Sequence, residues 1–124
     1  MALVKKLKAF WDDCGKGPTA GAPKRLSRDE ASDVWSDSRG VEGNFFGLID
    51  EKGRTIQFMM AESIPADVDD AGPLPIVDLD IPDSQKRGSY TRRVTIDEVH
   101  ELIGQMFEGG ADPEHFGDLK FVKW

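Results

Sequence analysis

Residues 44–61 read NFFGLIDEKGRTIQFMMA, and this stretch decides how the chain is expected to fold. Two runs that alternate with a period of two, Asn44–Ile49 and Thr55–Ala61, flank Asp50-Glu51-Lys52-Gly53-Arg54. A period of two marks half-buried strands. A short loop with glycine at the position that wants a left-handed residue joins them as an antiparallel hairpin. In the second run Ile56, Phe58 and Met60 share one face, and Thr55, Gln57 and Met59 the other.

Toward the C-terminus, Glu62–Pro75 is an acidic loop with three prolines and no hydrophobic period. Ile76–Ile81 alternates again, with Val77, Leu79 and Ile81 inward, Asp78 and Asp80 outward, and Pro82 closing the run. A polar turn at Asp83–Gly88 leads to a fourth strand over Ser89–Val94. Thr95-Ile96-Asp97-Glu98 then has the form of a capping box. Val99, Leu102, Ile103, Met106 and Phe107 follow on one helical face, and Gly109-Gly110 ends it. Asp112–Gly117 is a connector, and Leu119–Trp124 a short final strand.

Toward the N-terminus, Ser27-Arg28-Asp29-Glu30 is a second capping box, and the spacing of Ala31, Val34 and Trp35 predicts a helix over Arg28–Ser36. Gly15–Pro23 (GKGPTAGAP) reads as a linker. Before it, Leu3, Val4, Leu7, Phe10 and Trp11 recur at helical spacing opposite Lys5, Lys6 and Lys8, which predicts an amphipathic helix stopped by Cys14-Gly15. The expected architecture is α+β. A mainly antiparallel sheet of four to five strands carries the later amphipathic helix, with one or two short helices at the N-terminus. Residues 1–26 form the basic helix and linker, and residues 27–124 a single domain. Its core is expected from Phe46, Leu48, Ile56, Phe58, Val77, Leu79, Val99, Leu102, Ile103 and Phe107.

The chain has 124 residues, 39% hydrophobic and 31% charged, enough for one core and too apolar for disorder. No apolar run reaches the roughly 18 residues of a membrane span, and the start lacks a signal-peptide pattern, so a cytoplasmic location is expected. A single cysteine, Cys14, excludes an internal disulfide framework. Charge is divided unevenly. Residues 1–28 carry a net +5 and residues 29–124 a net −12, together the −7 of the whole chain. A domain this acidic repels nucleic acid and attracts basic partners, although an acidic surface also serves solubility alone.

Catalytic patterns are few in this sequence. His100-Glu101 starts like a zinc-protease helix, but Gly104 stands where the second histidine belongs. His115 has Glu114 and Asp118 beside it and no further ligand nearby. Asp67-Val68-Asp69-Asp70-Ala71-Gly72, with Asp78 at the twelfth position, matches some positions of a calcium loop. Ala71 and two prolines occupy others, and no helices flank it. Gly15-Lys16-Gly17 follows no strand and precedes no Gly-Lys-Ser/Thr, so the phosphate-loop fingerprints fail. Lys86-Arg87 and Arg92-Arg93 around Tyr90 offer too few aromatics for single-stranded nucleic acid. The expectation is a non-enzyme without cofactor or metal.

From Asn44 to Trp124 the order of features resembles the Imm1-type immunity proteins of bacterial polymorphic toxin systems. The resemblance lies in the aromatic hairpin, the apolar strand PIVDLDIP, the turn RGSYTRRV, the capping-box helix TIDEVHELIGQMF and the tail FGDLKFVKW. Residues 1–40 lie outside it. The resemblance implies a small α+β protein that binds a cognate toxin domain, one with a basic cleft if the toxin acts on nucleic acid, and blocks its active site. The other expectation is an acidic intracellular adaptor or regulatory domain with no toxin. For a toxin partner the candidate contacts are Asp67, Asp69, Asp70, Asp78 and Asp80, with Tyr90 as an aromatic anchor.

Overall fold

The computed structural model describes residues 4–124. Along the chain run β1 (Lys6–Asp12), β2 (Lys24–Ser27), α1 (Arg28–Asp37), β3 (Phe45–Ile49), β4 (Thr55–Met60), β5 (Val77–Asp83), β6 (Gly88–Val94), α2 (Glu98–Gly109) and β7 (Lys120–Lys123). A single 3-10 turn, Pro113–His115, lies before β7. All strands belong to one antiparallel sheet in the order β2-β1-β3-β4-β5-β6-β7. The expectation of four to five strands with N-terminal helices is therefore overturned: the sheet has seven strands, and the first element is one of them.

The reason lies in an ambiguous stripe. Leu7, Ala9 and Trp11 alternate with Lys6, Lys8 and Phe10, so the segment fits a period of two as well as a helical one. The free edge of β3 settles it. Lys8–Asp12 pairs with Phe45–Ile49 on one side, while Lys6–Ala9 pairs with Lys24–Ser27 on the other. Tertiary pairing satisfies the backbone on both sides, which outweighs a weak local helical preference. Of the residues assigned to the helical stripe, Leu3 lies outside the described residues. Cys14-Gly15 turns the chain back instead of stopping a helix. Both residues have positive φ (54° and 89°), and Asp13 and Lys16 exchange backbone hydrogen bonds across them at 2.8 and 3.2 Å. β2 crosses the expected boundary between residues 26 and 27.

The hairpin at 44–61 forms in the expected register, with Phe46 opposite Phe58 and Leu48 opposite Ile56. Gly53 takes φ 80° at its tip. Inward residues of the strands and the apolar faces of both helices make one core, including Phe46, Phe58, Leu79, Ile103, Met106 and Phe116. All ten residues expected in the core are buried. The Trp35 ring lies 6.4 Å from Phe58, and its indole N–H donates to the Ile96 carbonyl at 3.1 Å, so α1 is tied both to the sheet and to the entrance of α2.

Both capping boxes are present. Ser27 Oγ accepts from the Glu30 N–H at 3.2 Å, and Glu30 accepts from the Ser27 N–H at 2.8 Å. The Ser27 backbone bond, followed by its hydroxyl, holds the Glu30 carboxyl below the usual range. Thr95 and Glu98 make the same reciprocal pair at 3.1 and 3.0 Å, so the cap is Thr95 although regular helix starts at Glu98. Neither helix covers the other face of the sheet. There Phe10 lies over Gly47, whose lack of a side chain admits the ring, and Phe45 meets it edge-on at 6.1 Å.

Candidate protein-binding surface

The acidic residues are not spread evenly over the fold. α1, α2 and the connection 61–76 between β4 and β5 together hold eleven carboxylates and one cation, Arg28. Ten of the eleven are exposed; the exception, Glu98, is half-buried and bound to Arg92 at 2.9 Å. The two helices lie side by side, and the connection is fastened to both. The Ile64 N–H donates to Gly40 just past α1 at 2.8 Å, and the Asp97 N–H donates to Gly72 just before α2 at 3.0 Å. The result is a predominantly anionic region, in which Glu30 and Glu62 are paired with Lys6 and Arg93 at 3.7 and 3.8 Å. Lys8 and Arg25 lie toward the far edge of the sheet, on the opposite face, and Lys6 beside them reaches Glu30 of α1 at 3.7 Å.

A cavity of about 250 Å³ opens where α1 ends, α2 begins and the 61–76 connection crosses between them. Trp35, Met60, Ile64 and Ile96 supply its apolar wall, while Ser36, Arg39, Asn44, Asp97 and His100 bring polar atoms. The Asn44 side chain is fully engaged, donating to Asp13 and to the Arg39 carbonyl and accepting from the Cys14 N–H. Arg39 is turned toward Asp13 at 3.4 Å.

His100 is more deeply placed than its sequence position suggests. Its Nδ1 lies 2.6 Å from Ser32 Oγ and its Nε2 3.5 Å from Ser36 Oγ, so it bridges α2 to two successive turns of α1. A serine against an imidazole is half of a nucleophile–base pair. Here the second ring nitrogen meets another serine instead of a carboxylate, and among the described residues no acidic group hydrogen-bonds to the ring. The arrangement clamps two helices together. The i, i+4 spacing of Ser32 and Ser36 was visible in the sequence, but the 68-residue separation from His100 hid the pairing.

The six candidate contacts fall into three places. Asp67, Asp69 and Asp70 are exposed on the 61–76 connection, part of the anionic surface. Asp70 also accepts from the Gly72 N–H at 3.0 Å, a turn contact. Asp78 and Asp80 lie on the helix-free face, since their neighbours Val77, Leu79 and Ile81 face the core. Asp78 is bound to Arg93 at 2.7 Å. Burial pushes the Asp80 carboxyl up, opposed by the Ser89 hydroxyl and reinforced by the charge of Asp78. Tyr90 is on the helical side but at the β7 edge. Its ring is 5.1 Å from Phe121, and its hydroxyl accepts from Lys86 at 2.6 Å, which pushes that ammonium up. The sheet thus separates Asp78 and Asp80 from the other four.

Among the described residues no group of three or more His, Cys, Asp or Glu side chains is placed to hold a metal ion, and no helix is long and apolar enough to cross a membrane. No family model matches the chain, and no curated protein or solved structure matches it.

Proposed function

We propose that this protein is an immunity-type inhibitor. It binds a basic toxin domain in the cytoplasm and occludes that domain's active site with the surface made by α1, α2 and residues 61–76. The observation that carries this reading is the concentration of eleven carboxylates and one cation on those three segments. Such a field speeds encounter with a cationic cleft, and an occluding inhibitor needs no catalytic group of its own. The resemblance of residues 44–124 to immunity proteins supports the same reading.

The test is whether a neighbouring gene encodes a toxin domain and, with that domain, co-expression of the chain and of the variant carrying Asp67→Asn, Asp69→Asn and Asp70→Asn; absence of such a gene favours an adaptor. The wild-type chain is expected to protect cells and to form a stoichiometric complex. The variant is expected to associate more slowly, with a shallower salt dependence between about 50 and 300 mM, where the screening length falls from roughly 14 to 6 Å. A wild-type chain that neither protects nor binds removes the inhibitor reading in favour of an adaptor. Unchanged kinetics in the variant remove residues 67–70 from the interface.

A further inference from the structure

We infer that β7 is a docking edge for a second copy of this chain, whose own β7 adds to it antiparallel and joins the two sheets into one. This goes beyond the inhibitor reading and uses no residue of α1, α2 or the 61–76 connection. β7 is the last strand of the sheet, so one of its two sides has no neighbouring strand. All four of its residues are exposed. Phe121, Val122 and the adjoining Trp124 are three of the six large hydrophobic side chains exposed among the described residues, whereas the other edge strand, Lys24–Ser27, has none. An open edge flanked by apolar side chains is a template for strand addition.

The ladder to β6 shows which backbone groups are free. The Trp124 N–H donates to the Arg87 carbonyl at 2.9 Å, and the register sets Val122 opposite Ser89 and Lys120 opposite Thr91. Hydrogen-bonded and non-bonded pairs alternate along an antiparallel ladder, so Lys120, Val122 and Trp124 turn their N–H and C=O groups toward β6. Those of Phe121 and Lys123 point to the open side. A two-fold axis through Val122 sets each Phe121 opposite Lys123 of the other copy, which makes four main-chain hydrogen bonds. A one-residue slip would put opposed side chains on different faces. Moving the axis to Phe121 would pair Lys123 with Leu119, which lies outside the strand.

The side chains select a second copy. Opposed residues share a face, so Lys120 meets Trp124 of the other copy on the helix-free face, and Phe121 meets Lys123 on the helical face. Each lysine therefore falls against an aromatic ring and never against another lysine. Val122 meets itself on the axis, a β-branched pair at a closely spaced position. The basic toxin domain of the inhibitor reading does not suit this edge, because Lys86, Arg87, Lys120 and Lys123 meet it with like charge.

The experiment is sedimentation equilibrium of the full chain, with amide NMR over the same dilution series. A strand-sized contact lies at the small end of specific interfaces, so a Kd on the order of 100 μM is expected. On dilution the amides of Phe121 and Lys123 should shift, and those of Lys120 and Val122 less. Lys123→Pro removes an outward donor and no bond to β6, and should raise the Kd at least about tenfold. Val122→Lys and Val122→Glu each place like charges on the axis. Each should be monomeric alone, and an equal mixture of the two should dimerise again. A wild-type chain still monomeric at about ten times the expected Kd, dilution shifts mapping elsewhere, or a mixture of folded variants that stays monomeric would each overturn the assignment. The wild-type dilution decides it even if a variant fails to fold. The other occupant of a basic edge is an acidic strand. A monomeric chain whose Phe121 and Lys123 amides shift with poly-L-glutamate would give the edge to such a strand. That binding fades with salt, whereas the pairing of two chains of net charge −7 does not.

Discussion

The Asp50 carboxylate ties the β3–β4 hairpin to the chain that follows α2. Asp50 sits at the tip of the β3–β4 hairpin with its side chain only 4% exposed. Oδ1 accepts from the backbone N–H groups of Lys52 and Arg54 at 2.9 and 2.8 Å, and Oδ2 accepts from Arg54 Nε at 2.8 Å and the Ala111 N–H at 2.9 Å. The last bond joins the hairpin to the chain after α2, 61 residues away. Burial pushes the carboxyl up, but the hydrogen bonds from Ala111 and Arg54 and the Arg54 charge outweigh it and hold the group below its ordinary range.

In Asp50→Ala, the buried Ala111 N–H loses its only acceptor, which costs about 1–3 kcal/mol. The Arg54 guanidinium, 38% exposed, finds water and contributes less than ~1 kcal/mol. With the two turn bonds, the loss comes to about 3 kcal/mol out of a typical 5–15. Urea denaturation should show the midpoint falling by about 1.5 M at an unchanged slope near ~2 kcal/mol/M. The sign with pH follows from the lowered pKa. The stabilisation is present above the unfolded value near 3.8 and is lost as pH falls through the folded value, so the gap between wild type and variant should close in acid. A loss under ~1 kcal/mol at neutral pH, or a gap independent of pH, would refute the reasoning, because either means that water replaces the carboxylate at Ala111.

Three further outcomes are expected. Phe58→Ala, at a ring that is fully buried against Trp35, should cost about 3–5 kcal/mol by denaturant titration, and a loss below ~1 would contradict its place in the core. Gly47→Ala should cost about 1–3 kcal/mol because the new methyl meets the Phe10 ring. In a Phe10→Ala background most of that penalty should vanish, and additivity in this double-mutant cycle would remove β1 from its register on β3. Asp80 behaves opposite to Asp50. Burial raises its pKa, so its ionisation costs stability as pH rises from the unfolded value near 3.8 through the higher folded value, and Asp80→Asn should gain on wild type over that interval. A gap that stays flat over that range would show that the carboxylate is as well solvated as in the unfolded chain.

What could be read without a structure was whatever depends on neighbours along the chain. The alternation of Ile56, Phe58 and Met60, the glycine at position 53, and the Ser27–Glu30 and Thr95–Glu98 caps all act within a few residues, and each formed as expected. Of the surface, the sequence showed that residues 29–124 carry the negative charge and that Asp67, Asp69 and Asp70 stand in a loop too polar to bury.

The tertiary structure decided whatever depends on distant pairing. Lys6–Asp12 could satisfy either period and became a strand because β3 offered an open edge and β2 returned to its other side. The same pairing makes seven strands of an expected four or five. Asp78 and Asp80 went to the helix-free face because the alternation of β5 points them away from the core, a direction the sequence implied without saying what covers either face. The cavity has no local signature at all. It exists because the end of α1, the start of α2 and residues 61–76 meet across the molecule, and a void between elements is a property of their packing and not of any one segment.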